Sequence, residues 1–480
     1  MKAFKKLIAL VMACVLLVCC LTGCKSGSQD DEIPTLTWVA VGDDQPDLES
    51  VLAEVNKITE EKIGARVDIE FVDTASYGEK VKMFMASGKD YDIYFTGFLN
   101  DYHKAALNGG LYDITDLLDE YAPDLTDSVP QYALEAAKVN GRIYGVPNHQ
   151  MICNPHIIFT FKALAEKYNF DFEAVKHVDE IEPYLEMIKN GEPEMYPYKP
   201  DISHWYRPVY EYVMDNTNCV VKKDGSSPEV SLVYETDEFK QGLKKIREWY
   251  QKGYIRADVA SAGDDTTDLR NCKYGVAGVT WGYGSDRIAI EEYGQECVYA
   301  FTDQPYVQRH SSLLAMLSVG ANSKHPEKAV QLINLLDTDK DFYNLVCNGI
   351  MGKHYNLTED NKVQFVENSG YAPKTDIFFG NRMNAYLWEG MEDDTVEMWE
   401  KYNNEATKSP LLGFVPDTTK ITGEISQITT VNSKYAAMLT GSLDIDEYYD
   451  KYVAELEAAG QKKVQEEFQR QVNEFFANKK

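Results

Sequence analysis

The chain has 480 residues, of which 77 are acidic and 48 are lysine or arginine, and its formal net charge is −29. A surface this acidic repels phosphate backbones, and no basic cluster offsets it, so nucleic acid is not expected as a partner. The length exceeds what one compact core organises, and 44% of the residues are hydrophobic. We therefore expect two or more well-packed globular domains.

The first 24 residues have the pattern of a secretory signal peptide. Lys2, Lys5 and Lys6 precede an apolar run over residues 7–21, and small residues then lead to Cys24. A membrane-spanning helix is the alternative interpretation. It is disfavoured because the apolar run has about 15 residues, whereas a spanning helix needs roughly 20.

The residues Leu-Thr-Gly-Cys at positions 21–24 resemble the bacterial lipobox, the site where a diacylglyceryl group is attached. This resemblance implies that residues 1–23 are removed and that Cys24 carries the lipid. Two acyl chains anchor a protein stably to a bilayer, whereas one chain does not. Residues 24–33 are polar and predict a flexible tether. We thus expect a protein that is lipid-anchored on the extracytoplasmic face of the cell membrane.

Five cysteines remain beyond the lipobox. Their wide spacing and odd number are not those of a disulfide framework or a zinc knuckle. We expect buried free thiols at these positions: Cys153, Cys219, Cys272, Cys297 and Cys347.

The first part of the mature chain alternates strands and helices. This order predicts a parallel sheet with right-handed crossovers, in which ligands bind beyond the carboxyl ends of the strands. Strands are predicted at residues 35–41, 65–72 and 92–96, and helices at 51–63 and 77–86. Three loops are thereby candidates for ligand contact: residues 42–45, 73–77 and 96–100.

The pattern resumes in the middle of the chain. Helices are predicted at residues 160–168, 178–190 and 236–251, a shaped loop at 195–208, and a buried strand at 274–282. Pro326 suits the first position of a helix that ends near residue 336. Val464, Phe468 and Val472 recur at helical spacing, which indicates a packed C-terminal helix.

Residues 313–336 contain a strand, a Gly-Ala-Asn turn and a Ser-x-x-Pro-Glu-x-Ala helix. This stretch resembles the second interdomain crossing of type 2 extracellular solute-binding proteins, the maltose-binding-like class. Further stretches resemble the lipid-anchored sugar-binding proteins of ABC importers, and together they span nearly the whole mature chain. These stretches are Gly-Lys-Asp-Tyr-Asp-Ile-Tyr at 88–94, Gly-Ile-Met-Gly-Lys-His-Tyr at 349–355, Gly-Asn-Arg-Met-Asn at 380–384 and Leu-Gly-Phe-Val-Pro-Asp-Thr-Thr at 412–419.

The resemblance implies an α/β chain with the two-lobed type 2 periplasmic-binding-protein fold. Each lobe would be a mostly parallel doubly wound sheet flanked by helices, and the lobes would close like a hinged clamp. An additional helical C-terminal region of unassigned role would follow. The expected boundaries are residues 34–147 and 320–372 for lobe 1, and 148–319 and 373–480 for lobe 2, with 409–480 as the appended region.

Polar candidates for ligand contact lie at the predicted strand ends. A sugar offers hydroxyls in the plane of its ring, which carboxylates, amides and arginine can satisfy. Asp43, Asp44 and Gln45 follow the first strand, and Asn148 and His149 follow the first crossing. The alternative for the acidic residues is an ordinary turn or helix N-terminus.

Aromatic candidates would cover the C–H faces of a sugar ring. Trp281 and Tyr283 flank a glycine at a predicted strand end, where the maltose-binding-like class often places a stacking aromatic. Trp205, Tyr206 and Arg207 combine two rings with a forked donor, and Trp388 is a further candidate. Each of these side chains has core packing as its alternative role.

The sequence offers little catalytic chemistry. The eight histidines form no His-x-x-x-His or His-x-His pair and no cluster with cysteine, and no nucleophile elbow or P-loop is present. We expect no resident metal or cofactor and no enzymatic activity. The predicted function is a monomeric receptor that captures a carbohydrate, with an oligosaccharide as the expected form, and delivers it to the permease subunits of an ABC importer. A secreted glycoside hydrolase, a ligand-sensing ectodomain partner of a membrane receptor, and a receptor for a peptide or another solute remain alternatives.

Overall fold

The structure is a computed structural model that describes residues 33–153, 155–262, 266–280, 289–290, 292–374 and 376–478. Cys24, Trp281 and Tyr283 lie outside the described residues. Within them, two α/β lobes each have their own sheet and their own hydrophobic core. None of the described helices combines the length and the apolar character that crossing a membrane requires.

The first lobe contains a five-stranded sheet. Its strands, in spatial order, are Arg66–Val72, Thr35–Val41, Ile93–Gly97, Ala315–Val319 and Gly145–Pro147. The first three are parallel, as predicted, and only Ala315–Val319 runs against its two neighbours. The parallel strands therefore end at one edge of the sheet, where side chains from separate loops meet.

Helices cover both faces of this sheet. The helix Leu48–Ile63 buries Val51, Val55 and Ile63 against the sheet and ends at Gly64, whose φ of 63° lies in the left-handed region. The helix Pro326–Thr338 begins at the predicted proline and buries Ala329 and Ile333, among others. The helices of this lobe are Leu48–Ile63, Thr74–Ser87, Tyr102–Leu107, Thr115–Tyr121, Leu125–Ser128, Gln131–Ala136, Pro326–Thr338, Lys340–Asn348 and Thr395–Glu405.

The second lobe contains a four-stranded sheet. Its strands, in spatial order, are Cys297–Ala300, His156–Phe161, Tyr274–Thr280 and Tyr196–Tyr198. His156–Phe161 is antiparallel to both neighbours, and only Tyr274–Thr280 and Tyr196–Tyr198 are parallel. The expectation of a mostly parallel sheet in this lobe was therefore wrong. The prediction of a helix over residues 160–168 was wrong at its start, since this central strand continues to Phe161 and the helix spans only Lys162–Lys167. A short apolar run such as this one has no period that separates a buried strand from a buried helix.

Regular structure also occupies the predicted loop over residues 195–208. It contains the strand Tyr196–Tyr198 and the short helix Ser203–Tyr206. The predicted helix at 236–251 is confirmed as Asp237–Gln251, and the Thr236 hydroxyl caps it by accepting a hydrogen bond from Phe239 N at 3.3 Å. The other helices of this lobe are Lys162–Lys167, Glu182–Gly191 and Thr266–Arg270, with 3-10 turns at Val178–Ile181 and Val233–Glu235.

The C-terminal region packs on a small sheet of the second lobe. This sheet consists of Tyr210–Tyr212, Cys219–Lys222 and Ser231–Leu232. Four helices follow, Thr422–Lys434, Ala436–Leu439, Ile445–Ala458 and Gln461–Asn478. The predicted stripe of Val464, Phe468 and Val472 is fully buried in the core of this lobe. The C-terminal region therefore shares a core with the second lobe.

The predicted boundaries of the lobes differ from the observed packing in two places. Phe378, Phe379 and Trp399 belong to the core of the first lobe, although residues 373–406 were assigned to the second. The strand Ala315–Val319 likewise pairs within the first sheet rather than ending the second lobe at residue 319. The reason is topological, because a third crossing occurs near residue 407 and sequence patterns do not mark it.

Two crossing segments run side by side between the lobes. Tyr306–Val307 pairs in parallel with Thr407–Lys408, forming a two-stranded ribbon that we call the hinge ribbon. The first crossing lies beside it, where Asn403 Oδ1 accepts a hydrogen bond from Ile152 N at 2.8 Å. The remaining short elements are the strands Lys138–Val139, Arg142–Ile143, Tyr355–Leu357 and Val363–Phe365 and the 3-10 turns Ser311–Leu313, Asp376–Phe378 and Arg382–Asn384.

The expectation of buried free thiols is confirmed for Cys153, Cys219 and Cys347 but not for Cys272. Cys153, Cys219 and Cys347 are buried free thiols, and Cys272 is half-buried. Burial raises the pKa of Cys153 and of Cys219 to about 12. These two thiols are therefore protonated and unreactive at neutral pH.

Candidate ligand-binding site

A narrow cavity of about 40 Å³ lies in the second lobe beside the hinge ribbon. We call it the hinge cavity. Charged and aromatic side chains line it: His156, Arg207, Tyr210, Glu211, Tyr212, Asp215, Lys223, Asp303, Tyr306, Gln308 and His310. The cavity is smaller than a sugar ring, but its rings, carboxylates and forked donors are the groups that contact sugar hydroxyls and C–H faces.

Glu211, which lines the hinge cavity, is hydrogen-bonded to both segments that form the hinge ribbon. Its carboxylate is buried and accepts hydrogen bonds from the Tyr306 hydroxyl at 2.7 Å and from Arg309 N at 2.6 Å. The Ser409 hydroxyl, just after the second hinge strand, donates to the same carboxylate. One side chain of the second lobe thus ties together two crossings of the chain.

An ion pair also lines the hinge cavity. Lys223 Nζ lies 2.6 Å from Asp303 Oδ2, and the two side chains are only 13% and 9% exposed. Nearby, burial lowers the pKa of His310 to about 4, so its imidazole is neutral at pH 7. Because Lys223 is paired with Asp303, the positive charge available to a ligand at this cavity comes from Arg207 and not from His310.

A second cavity, of about 360 Å³, lies between the second lobe and the C-terminal helices. We call it the C-terminal cavity. Arg207, Tyr212 and Asp215 line both this cavity and the hinge cavity. Tyr435 and Tyr452 of the C-terminal region form its far wall. The C-terminal region is therefore separated from the hinge cavity by a single layer of side chains.

The acidic candidates of the first lobe lie where the sequence predicts them. Asp43 and Asp44 are exposed and follow the strand Thr35–Val41 directly. Gln45 is already engaged, because its Nε2 donates to Asp43 O at 2.9 Å and its Oε1 accepts from Ala372 N at 2.8 Å. Of these three residues, the two aspartates have the more exposed side chains.

Asn148 and His149, the candidates at the first crossing, form hydrogen bonds with residues 377 and 382. Asn148 is buried, and its Nδ2 donates to Ile377 O at 3.0 Å. The carbonyl of His149 accepts a hydrogen bond from Arg382 N at 2.8 Å, and burial lowers the pKa of the His149 side chain to about 4. These contacts order the start of the crossing.

The structure favours the core-packing alternative for Trp205 over a stacking face. Its ring is only 4% exposed, lies edge-on to Trp249 in the core of the second lobe, and donates from Nε1 to Asp179 Oδ1 at 3.1 Å. Tyr206 is also buried, and its hydroxyl lies 3.0 Å from that of Tyr212. Arg207 is the member of this group whose side chain borders both cavities.

Trp388 lies in an extended segment and not in the packed helix that was its alternative. It pairs with Val363 through a parallel bridge and meets Phe365 edge-on at a ring separation of 5.6 Å. Its ring packs against the core of the first lobe. A role for Trp388 in ligand contact remains a prediction.

One exposed aromatic ring was not singled out from the sequence. Phe98 follows the strand Ile93–Gly97, is 53% exposed, and stacks on Phe378 with the centroids 5.9 Å apart. It lies in the loop at residues 96–100, which the strand order nominates. Phe98 differs from a core phenylalanine only in how much of its ring is exposed. That exposure depends on the packing of distant residues, which the sequence does not reveal.

A cluster of metal-ligating side chains was also missed. His156, Asp201 and His204 each place one ligand atom within 4.8 Å of the others. Sequence spacing does not reveal this cluster, because His156 lies on one strand while Asp201 and His204 follow another. Spacing rules for metal sites detect ligands close in sequence, and this cluster forms only when the sheet assembles.

Two α/β lobes with separate cores, joined by a paired hinge ribbon beside a polar and aromatic cavity, define a two-lobed binding protein. A family described as bacterial extracellular solute-binding protein matches residues 53–344. The chain belongs to this family. A second match, to a domain of unknown function (DUF3502), covers residues 410–477, which are the C-terminal region.

Relatives with similarity over most of their length include two bacterial proteins. A carbohydrate ABC transporter substrate-binding protein of Streptococcus pneumoniae is 29% identical over 475 residues, covering 95% of this chain and 94% of the relative. Lipoprotein LipO of Bacillus subtilis is 21% identical over 450 residues, covering 82% of this chain and 84% of the relative.

Among solved structures, the N-glycan transport solute binding protein NgtS of Streptococcus pneumoniae matches with a TM-score of 0.83 at 28% identity, covering 93% of this chain and 100% of that one. A complex of NgtS with Man1GlcNAc matches with a TM-score of 0.70, covering 92% and 99% of the two chains. The similarity therefore extends over the lobes and the C-terminal region together.

Proposed function

We propose that this protein is a lipid-anchored extracellular receptor that captures an oligosaccharide between its two lobes and delivers it unaltered to the permease subunits of an ABC importer. The observation that carries the proposal is the hinge ribbon between two independent cores, with a polar and aromatic cavity at its side. Family membership and the similarity to a carbohydrate ABC transporter substrate-binding protein over 95% of this chain support it.

The mechanism is a shift between open and closed populations. A ligand that contacts both lobes only in the closed form favours that form by its extra binding free energy. The two structures of NgtS provide support, since the chain matches one with a TM-score of 0.83 and the glycan complex with 0.70. We expect rotation of one lobe against the other to account for this difference.

The ligand contacts are assigned by position. Asp43 and Asp44 at the edge of the first sheet and Arg207 at the hinge cavity supply polar contacts to hydroxyls. Phe98 of the first lobe supplies one ring for the C–H faces of the sugar. Trp281 and Tyr283, which lie outside the described residues, are assigned the same role from the sequence alone. Aromatic rings on both lobes would explain why closure depends on ligand.

Ligand capture is tested by calorimetric titration of the purified chain with a panel of mannose-containing, fructose-containing and galactose-containing oligosaccharides. We expect dissociation constants in the micromolar range or below for one class and recovery of the ligand with unchanged mass. Cleavage of the recovered sugar would support the hydrolase alternative and overturn the receptor. Unchanged sugar uptake after deletion of the gene would instead support a sensing role.

The anchor is tested separately. Cys24→Ala should abolish incorporation of labelled fatty acid and release the protein from the membrane fraction, because the thioether to the diacylglyceryl group cannot form. Cys20→Ala, within the signal peptide, is the matched control and should leave labelling unchanged. Continued labelling of the Cys24→Ala variant would contradict the assignment.

A further inference from the structure

The cluster of His156, Asp201 and His204 lies at one end of the sheet in the second lobe. His156 is the first residue of the strand His156–Phe161, while Asp201 and His204 follow the strand Tyr196–Tyr198. His156 Nε2 lies 3.7 Å from Asp201 Oδ2, and His204 Nε2 lies 3.8 Å from the same oxygen. Both histidines therefore face one carboxylate oxygen.

These distances are close to those of a metal site. Four ligands arranged tetrahedrally at about 2.0–2.1 Å from a zinc ion lie roughly 3.4 Å from one another. The two histidine–carboxylate separations need to shorten by only a few tenths of an ångström to reach that value, and all three ligand atoms lie within 4.8 Å of one another. Neither contact is short enough for a hydrogen bond, so the cluster is not explained by direct bonding among its members.

His204 carries polar atoms that the protein leaves unsatisfied. Its side chain is buried, with the residue 2% exposed, and both ring nitrogens lack a hydrogen-bond partner within the described part of the chain. His156 Nδ1 is also buried and without such a partner there. A buried imidazole with no partner costs free energy, and a bound cation would supply the missing interaction at Nε2.

The surroundings hold the three ligands in place. Ser203 N donates to Asp201 Oδ1 at 2.8 Å, which fixes the carboxylate and leaves Oδ2 directed at the histidines. The two imidazole rings meet edge to face at a separation of 4.9 Å. Gly278 provides the room, since a Cβ at that position would lie 2.5 Å from His204 Nε2.

We propose that His156 Nε2, Asp201 Oδ2 and His204 Nε2 bind one divalent transition-metal ion, with Zn²⁺ the best chemical match. Two imidazoles and one carboxylate are a ligand set of zinc sites with a fourth position open to water, whereas Ca²⁺ and Mg²⁺ prefer oxygen ligands. The side chains of His156 and Asp201 are 22% and 35% exposed, which gives the ion a path from solvent. Because His156 also borders the hinge cavity, the ion would sit beside the proposed ligand site.

The test uses the full chain without a histidine tag, purified in detergent and stripped of metal with a chelator. Titration with Zn²⁺ alone should give one ion per chain and a higher thermal midpoint, because the ion binds only the folded state. Co²⁺ should give the intense visible absorption of a tetrahedral complex. No sugar is present, so failure here leaves the receptor proposal standing.

His156→Gln and Asp201→Asn each remove one ligand with little change in volume. Each substitution should weaken Zn²⁺ binding by at least about 100-fold. Loss of a residue that only hydrogen-bonds to a metal ligand costs up to about 100-fold, and loss of a ligand itself should cost at least as much. His177→Gln is the matched control, since His177 and Asp179 form a surface pair 3.4 Å apart, and it should bind like the parent chain. Circular dichroism of each metal-free variant confirms that it is folded.

Three results would overturn the proposal. These are absence of Zn²⁺ binding by the parent chain, a weak octahedral Co²⁺ spectrum, and affinities of the folded His156→Gln and Asp201→Asn variants equal to that of His177→Gln. The last result would place the ion on surface carboxylates, which are abundant in this acidic protein.

Discussion

The carboxylate of Glu211 accepts a hydrogen bond from the hydroxyl of Tyr306 at 2.7 Å, although 95 positions separate the two residues in the chain. Glu211 lies on the small sheet of the second lobe, and Tyr306 begins the first strand of the hinge ribbon. The same carboxylate also accepts hydrogen bonds from Arg309 N and from the Ser409 hydroxyl. Glu211 therefore connects the second lobe to the segments that contain both hinge strands.

Glu211→Ala should destabilise the protein by about 3–5 kcal/mol, because it leaves several buried donors without an acceptor at about 1–3 kcal/mol each. The free energy of unfolding in urea measures the change. Glu229→Ala removes an exposed glutamate near the same sheet and should change stability by less than about 0.5 kcal/mol. Equal stability of the two variants would show that Glu211 does not secure the hinge.

Trp205→Phe should lower stability and leave sugar affinity unchanged, because the ring is buried and its Nε1 donates to Asp179. We expect a loss of about 1–3 kcal/mol from the hydrogen bond and the reduced packing. Parallel urea unfolding and calorimetry with the best oligosaccharide measure the two effects. A variant with normal stability and weakened binding would restore Trp205 to the ligand site.

The contrast between Trp205 and Phe98 shows what the sequence could and could not predict. The order of strands and helices predicted that ligand-contact loops lie at the carboxyl ends of the first sheet, because alternating strands and helices form a parallel sheet. It could not say which ring in such a loop is buried, because burial depends on neighbours from distant parts of the chain. Trp205 is covered by Trp249, whereas Phe98 remains half exposed.

Local periodicity likewise decides which parts of the fold are predictable from sequence. Local patterns with a clear period, such as the helices Leu48–Ile63 and Asp237–Gln251, were predicted to within a few residues. The strand His156–Phe161 and the packing of residues 373–406 on the first lobe were not predicted. Both depend on long-range pairing, which leaves no local period. The resemblance to a family supplied the two-lobed arrangement, but not these assignments.

Asp337 should make stability depend on pH. It is buried beside Ser128, and burial raises its pKa to about 7, above the value of 3.8 usual for the exposed group. Between pH 4 and 7 the folded state therefore holds a proton on Asp337 that the unfolded state has lost. The contribution of Asp337 to stability is thus fully present below pH 4 and is lost as the pH rises through 7. The slope is about 1.4 kcal/mol per pH unit.

Asp337→Asn should remove this slope and stabilise the protein above pH 7, because the amide stays neutral and can still contact Ser128. Thermal midpoints at several pH values between 4 and 8 measure the difference from the parent chain. Asp450→Asn, at an exposed position, is the control and should keep the parent profile. The same pH slope in all three proteins would contradict a protonated Asp337.

Gln461 fixes the C-terminal region to the second lobe. It is fully buried, its Nε2 donates to Thr217 O at 2.8 Å, and its Oε1 accepts from Asn218 Nδ2 at 3.0 Å. Gln461→Ala should cost about 2–4 kcal/mol and increase hydrogen exchange in the helix Gln461–Asn478. Lys462→Ala, one position along, should change neither quantity. Unchanged exchange in Gln461→Ala would mean that the apolar stripe alone docks these helices.

Phe98→Ala tests whether the first lobe supplies a stacking ring. Because the ring is 53% exposed, its removal should cost little stability, whereas loss of the stacking face should weaken oligosaccharide binding about tenfold, which corresponds to about 1.4 kcal/mol. Met83→Ala, at a side chain 58% exposed on the helix Thr74–Ser87 of the same lobe, is the matched control and should bind normally. Calorimetry on both variants with the same sugar compares them directly. If Phe98→Ala binds as tightly as Met83→Ala, the ring does not contact the ligand, and the polar residues Asp43 and Asp44 would have to provide the contacts of the first lobe.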